Sequence, residues 1–336
     1  MNNKLSIWKI LFLIFLIVGT IYIIRKQEPY ITNSGKVFGT FYKITYKSGT
    51  DLHDAIKVKM HEVDCSLSPF NSRSIITAIN ENRDTVANEM FTKVFNLAQE
   101  VSEQTCGAFD ITVAPMVNAW GFGFKKGTLP DSATVDSLRR YIGYKTLSLE
   151  NGKVRKLHPE TMLDCSAIAK GYGCDAVAAL LEDNGVTDFM VEIGGEVVTR
   201  GKNDKGGNWA IGISKPNDNP TTAENELQDV IVISGKSMAT SGNYRNFRYE
   251  NGKKYSHTIS PATGYPVEHS LLSATVIADD CATADALATS FMVMGTEKAL
   301  EFCRNNEKIE GYFIYADKDG RYKTAMSSGF GKYLRK

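Results

Sequence analysis

The chain has 336 residues, a formal net charge of +1, 43% hydrophobic residues and 23% charged ones. That length can bury an ample core as one large domain or two intimate ones, and the composition is that of a globular protein. A near-neutral charge gives no electrostatic case for nucleic acid, and no repeat or low-complexity tract stands out. From the N-terminus, Ile7 to Ile24 is almost wholly apolar, with Lys4 and Lys9 at its start and Arg25-Lys26 after it. Its length falls within the ~17–25 residues that span a bilayer. No small-residue cleavage site follows, and no cysteine lies close behind as a lipid attachment point, so residues 1–26 are expected to be an uncleaved membrane anchor. Basic residues on both flanks leave its orientation open. Residues 27–36 are expected to be a short polar linker, and 37–336 the folded domain.

Val37 to Lys47 alternates as a strand. Asp51 to Leu67 places Leu52, Ile56, Met60, Val63 and Leu67 on one helical face, and residues 67–80 turn into a short helix. Met90 to Val101 is amphipathic and closes near Gly107. Gly107 to Gly123, GAFDITVAPMVNAWGFG, lacks clean periodicity and reads as a binding loop. A helix capped by Asp131 and a hairpin turning at Asn151-Gly152 come next. The segment 163–201 then reads as a tight entry with Ser166 as cap, an amphipathic helix stopped at Asn184-Gly185, and a strand ending in Gly-Gly-Glu. Trp209–Ser214 and Val230–Ser234 read as strands, and 238–247 as a polar, glycine-punctuated stretch. Asn251-Gly252 reads as a hairpin turn. A strand at Ser273–Ala278, helices at Thr283–Met294 and Thr296–Asn305, and a last hairpin (Tyr312–Ala316, Tyr322–Ala325) complete the chain. Mixed helices and hairpin-linked strands point to an α+β fold with mixed or antiparallel sheets rather than a doubly wound parallel one.

Several residues could carry chemistry. A helix starting just after Asp164, with Lys170 in its first turns, offers free N–H groups and a positive dipole end to phosphate; Gly194-Gly195 allows close backbone approach. Asp285 and Thr289 are one helical turn apart, and their hard oxygens suit magnesium, although one Asp-x-x-x-Thr is as readily a cap or a solvated face. Asp279 and Asp280 fit a helix start or a solvated face. His257, near Pro261 and Gly264, is either a base or a hydrogen-bonded structural group. Tyr244 and Arg245 could meet a phosphate or carboxylate, or form an ordinary surface ion pair. Trp120 and Phe122 could stack on a ring or simply fill core. Cys65, Cys106, Cys165, Cys174, Cys281 and Cys303 show neither C-x-x-C nor zinc spacing and read as small core residues, compatible with an oxidising compartment. There is no G-x-S-x-G elbow, Walker loop, Rossmann fingerprint or H-E-x-x-H.

In order, GTFYKITY, LSPFNSRSIITAIN, FDITVAPMVNAWGFG, LDCSAIAKGYGCDAV, VEIGGEVVTRG, MATSGNYRNF, HTISPATGYPV and TADALATSFMVMG resemble the blocks of the FAD:protein FMN transferase (ApbE) family. The resemblance covers nearly the whole extramembrane chain. It implies a two-lobed, T-fold-like α+β domain that transfers FMN from FAD to a threonine or serine hydroxyl of a target flavoprotein, with Mg²⁺, releasing AMP. It implies that Asp285, Thr289 and the carbonyl of Ala167 hold the metal. It implies further that Phe38, Phe70, Ala108, Phe109, Asp110, Asp164, Lys170 and Ile259 line the FAD site, with His257 the base for the acceptor hydroxyl. Tyr244 and Arg245 are expected near the site without a firm role. Together with the anchor, the resemblance implies an inner-membrane protein with its catalytic domain on the periplasmic side. Ser260 departs from the pattern, since the family commonly has Asp before this proline; if that Asp orients the histidine, Ser260 does so less well. Two other readings remain open: a Mg²⁺-dependent FAD pyrophosphatase giving FMN and AMP, and a non-catalytic FAD-binding protein.

Overall fold

The computed structural model describes residues 3–26, 28–123, 129–216, 226–243, 247–250 and 253–335. Helix α1 (Asn3–Lys26) precedes the hairpin β1 (Tyr30–Val37) and β2 (Thr40–Lys47). Helices α2 (His53–Leu67), α3 (Ile75–Asn80), α4 (Glu89–Gln104), α5 (Ala114–Ala119) and α6 (Ser132–Arg139) follow, then the small hairpin β3 (Leu147–Glu150) and β4 (Lys153–Lys156). Helix α7 (Ala169–Asp183) leads into β5 (Phe189–Ile193), β6 (Glu196–Arg200), β7 (Trp209–Ser214), β8 (Leu227–Ile233) and β9 (Ser237–Gly242). Then come β10 (Phe247–Glu250), β11 (Lys253–Ser256), β12 (Leu271–Ala278), α8 (Cys281–Met294), α9 (Thr296–Asn305), β13 (Glu310–Ala316) and β14 (Tyr322–Met326).

Local chemistry accounts for many of these boundaries. Ser74, Asn88, Asp131 and Asp280 each accept a hydrogen bond from the backbone N–H three residues on, satisfying an orphan donor at a helix start. The apolar spacing in α2 buries Ile56, Met60, Val63 and Leu67 on one face. Two expectations need correcting. The strand expected over 37–47 is broken by a two-residue turn, Phe38-Gly39, with φ of 50° and 73°. Positive φ at both central positions is what a tight hairpin with the native strand twist requires. The residues before it, from Tyr30, are therefore not linker but β1, the edge strand paired along β2. Second, the polar stretch SMATSG is a strand, β9, because β6 and β12 on either side supply its hydrogen bonds.

The main sheet has eight strands in the order β1-β2-β5-β6-β9-β12-β13-β14, every neighbouring pair antiparallel. Both faces are covered over its middle, and the two-residue period sorts side chains between two cores. Ala239, Val276 and Phe313 face the cluster that includes Leu287 and Phe291 of α8; their neighbours Met238, Ile277 and Tyr312 face a second cluster with Ile213 and Ile231 of the β7–β8 hairpin. Such double burial explains why β12, LLSATVIA, reads as a near-continuous apolar run. Helices α7 and α8 pack against each other and against the middle strands, which sets the place of the site.

The described side chains of α1 are those of residues 7–19, and the apolar ones from Ile7 to Val18 are exposed. Among the described residues no helix is long and apolar enough to cross a membrane.

Candidate functional site

The junction of α7 and α8 brings together the acidic and basic groups that the sequence scatters. Helix α7 starts at Ala169, not at Ser166: Ile168 is its cap position and makes no side-chain cap bond. Asp164 takes up the Ser166 N–H instead (2.8 Å). The helix start is capped from outside by Asp285 of α8, whose Oδ2 accepts the Gly171 N–H at 3.0 Å. The reverse also holds: Asp175 of α7 accepts the N–H groups of Cys281 and Ala282 at 2.8–3.1 Å, so each helix places a carboxylate on the positive end of the other. Burial outweighs those bonds and pushes the Asp175 carboxyl up to about 7.

Glycine at 171 is what permits this approach. A Cβ there would lie 2.7 Å from the Cys281 carbonyl carbon, closer still to its oxygen, and 2.8 Å from Asp285 Cβ. Because the Gly171 N–H turns to Asp285, it does not close the i−4 bond to Ala167; among the described residues no donor reaches the Ala167 carbonyl. That carbonyl is left without a hydrogen bond at the entry to α7.

Lys170 adds the cation. Its Nζ lies 3.1 Å from Glu196 Oε1 and 3.7 Å from Asp285 Oδ1. At such separations each attraction is on the order of ~4 kcal/mol before desolvation at an effective dielectric of about 20, so the ammonium bridges both carboxylates while sitting nearer Glu196. Burial alone would lower the lysine, but the carboxylates of Asp285 and Glu196 outweigh it and hold it above the usual range. Glu196 is pushed up, chiefly by burial. It is only 3% exposed, and its Oε2 has no hydrogen-bond partner.

Thr289, one turn beyond Asp285, shares a hydrogen bond with Ser241 of β9 (3.1 Å). Two residues on, Asn243 Oδ1 accepts from the Ser256 and Thr258 hydroxyls at 2.5 and 2.6 Å, the residues on either side of His257. Strand β9 thus ties the His257 segment to the Thr289 face of α8. The histidine ring meets Phe122 edge to face, with centroids 6.4 Å apart.

A family model, the ApbE family, matches residues 38–313. The chain belongs to the ApbE family. Curated relatives named FAD:protein FMN transferase are 36% identical in Haemophilus influenzae (92% of this chain, 92% of theirs) and 34% identical in Escherichia coli K12 (92% and 93%). The solved flavin transferase ApbE of Vibrio cholerae superposes with a TM-score of 0.82 at 34% identity, covering 91% of this chain and 100% of its own. The flavinyl transferase ApbE of Pseudomonas stutzeri gives 0.81 at 29% identity, over 92% of this chain and 98% of that one. These likenesses bear out the mixed α+β, ApbE-like fold, and this ApbE-family chain is an enzyme, a transferase.

The residues that the ApbE resemblance implied are spread over several parts of the fold. Asp285 caps the start of α7, Ala167 lies in the turn just before that helix, and Thr289, one turn beyond Asp285, bonds to Ser241 of β9. Phe38, at the strained turn of the β1–β2 hairpin, lays its ring against Gly173 of α7. Asp164 is tied by its N–H to the Ile111 carbonyl (2.7 Å), which places the Ala108–Asp110 segment alongside. Within that segment Phe109 is a core residue, and Asp110 spends its carboxylate on Thr112 (N–H 2.8 Å, hydroxyl 2.6 Å) and on the Tyr144 N–H (2.8 Å). Burial raises Asp110 and Asp164 against these bonds. Ile259 lies in a satellite core with Met116 and Trp120. Phe70 sits in the α2–α3 loop, 71% exposed, outside these clusters. Tyr244, Arg245 and the Asn251-Gly252 turn lie outside the described residues. The expected binding loop at 107–123 contains a short 3₁₀ turn and α5.

Three residues that sequence reasoning passed over matter here. Glu196 ended the Gly-Gly-Glu run, and only its unusual burial marks it. Gly171 and Asp175 looked like ordinary helix positions; their roles depend on a partner more than a hundred residues away. The cysteines bear out their reading as core thiols in four cases, Cys165, Cys174, Cys281 and Cys303 being buried, and burial pushes all four thiols up.

Proposed function

We propose that the chain transfers the FMN half of FAD to a threonine or serine hydroxyl of a partner flavoprotein, with Mg²⁺ and with AMP as the leaving product. The observation that carries this reading is Asp285 seated on the start of α7 beside Lys170, with the Ala167 carbonyl left without a hydrogen bond at the entry to that helix. The names of the curated relatives support it. The donor set fits a hard cation: carboxylate, hydroxyl and carbonyl oxygens with nothing soft among them. Among the described residues no three His, Cys, Asp or Glu side chains gather as a metal group, so the remaining ligands would be water and substrate phosphate. When bound, Mg²⁺ would supply charge neutralisation on the pyrophosphate.

The chain's own residues do the rest. The start of α7 and the Lys170 ammonium hold phosphate oxygens. His257 takes the proton from the acceptor hydroxyl, whose oxygen then bonds to the FMN phosphorus while the bond to the bridging oxygen breaks and AMP departs. The hydroxyl must be held in line with that bond, the work of positioning that a cleft performs. The exposed apolar side chains of α1 support an anchor in the inner membrane, and the family resemblance, not the evenly placed basic flanks, is what supports a periplasmic side for this domain.

The test is incubation of the full chain with FAD, Mg²⁺ and a threonine-bearing acceptor flavoprotein. A flavin mass adduct on the acceptor is expected. Free FMN plus AMP without an adduct would mean a pyrophosphatase, and bound FAD without AMP a non-catalytic binder. In the same assay His257→Ala is expected to slow transfer by ~10²-fold while leaving FAD affinity nearly intact. Loss of FAD binding would instead make His257 a ligand or structural group.

A further inference from the structure

We propose that Glu196 is a positioning residue: it draws the Lys170 ammonium off Asp285 so that lysine and a divalent cation can occupy the site together. This rests on the cation reading above. The geometry is asymmetric. Lys170 Nζ is 3.1 Å from Glu196 Oε1 but 3.7 Å from Asp285 Oδ1. Asp285 Oδ2 is committed to the Gly171 N–H, so Oδ1 is the oxygen over which cation and ammonium compete. Glu196 is 3% exposed and keeps a second, buried oxygen, Oε2, without a partner. A buried carboxylate with an idle oxygen is costly to hold unless some state of the protein uses it.

Fixed geometry suits Glu196 to this task. It opens β6, directly after the Gly194-Gly195 turn, whose φ values of 69° and 105° fold the chain back within two residues. A Cβ at Gly194 would come 3.1 Å from Glu196 Oε2 and 3.3 Å from Lys170 Cδ, so the turn leaves the room in which these side chains lie. Glu196, Lys170 and Asp285 together carry one net negative charge, which a dication turns into one positive. With glutamine at 196 the same event would leave two positive charges and an ammonium with no second seat.

Mg²⁺ titrated calorimetrically into the full chain tests this on wild type, E196Q, K170M and the E196Q/K170M double variant, with thermal melts to confirm folding. E196Q is expected to weaken Mg²⁺ binding about tenfold or more, and the double variant to return to within about threefold of wild type, since the stranded ammonium is the source of repulsion. E196D, which keeps the charge at shorter reach, should fall between, and serves if E196Q does not fold. Unchanged Mg²⁺ affinity in E196Q overturns the proposal. So does a double variant as weak as E196Q, which would make Glu196 a packing residue. If wild type shows Mg²⁺-dependent transfer and E196Q binds Mg²⁺ normally, only this inference falls; if wild type shows no Mg²⁺ dependence at all, the cation reading fails and takes it along.

Discussion

Asp285→Asn is expected to reduce Mg²⁺-dependent FMN transfer by ~10²-fold or more, the scale lost when a group that stabilises transition-state charge is removed. The variant is chosen for its shape. Asparagine keeps an oxygen for the Gly171 N–H, which the aspartate now accepts at 3.0 Å, so the cap on α7 survives. What goes is the negative charge facing Lys170 and any cation. The melting temperature should therefore change little while turnover collapses, and raising Mg²⁺ should recover part of the loss. Activity within a few-fold of wild type would remove Asp285 from the reacting site. A large drop in stability would mean that its charge holds the helix pair together instead.

Gly171→Ala should act the other way round, on the fold first. The added methyl would lie 2.7 Å from the Cys281 carbonyl carbon and 2.8 Å from Asp285 Cβ. One neighbour is backbone and the other is the root of a buried side chain, so neither can step aside. Alanine gains roughly 1 kcal/mol in helix propensity over glycine. Overpacking against a rigid neighbour costs about 3 kcal/mol or more, so the clash wins. Urea unfolding should show the loss, and transfer should fall with it because α7 and α8 must move apart where Lys170 and Asp285 meet. Gly331→Ala is the control: nothing lies within 4 Å of a Cβ there, and stability should stay within about 0.5 kcal/mol of wild type. Equal stability of the two variants would show that the close approach at Gly171 is not tight.

Much of the architecture was legible from residue order. Helices with an apolar stripe and an Asn or Asp at the cap, such as α4 and α6, came out within a few residues because period and capping act locally. The hairpin at Asn151-Gly152 did too, both residues having the positive φ their types favour. The failures share one cause. Strand β9 carries only Met238 and Ala239 as apolar residues and becomes a strand only between β6 and β12. Strand β1 looked like linker because its edge position demands little apolar character. Phe38 in a left-handed turn would not be written from propensity; its ring is held there by Gly173.

By itself, then, the sequence determined the kinds of element, the resemblance of its blocks to one family and the chemical types gathered in them: an Asp and a Thr one turn apart, a lysine at a helix start, a histidine between two hydroxyls. Only the tertiary structure decided that Asp285 rather than Ser166 closes the start of α7, that the Ala167 carbonyl is thereby left free, and that Lys170 is shared with Glu196. Hydrophobic period and capping depend on neighbours a few residues away, so they can be read along the chain. A carboxylate's partner, its burial and its competing cation depend on which helix lies across from it, and that is set by how two cores pack on the two faces of one sheet.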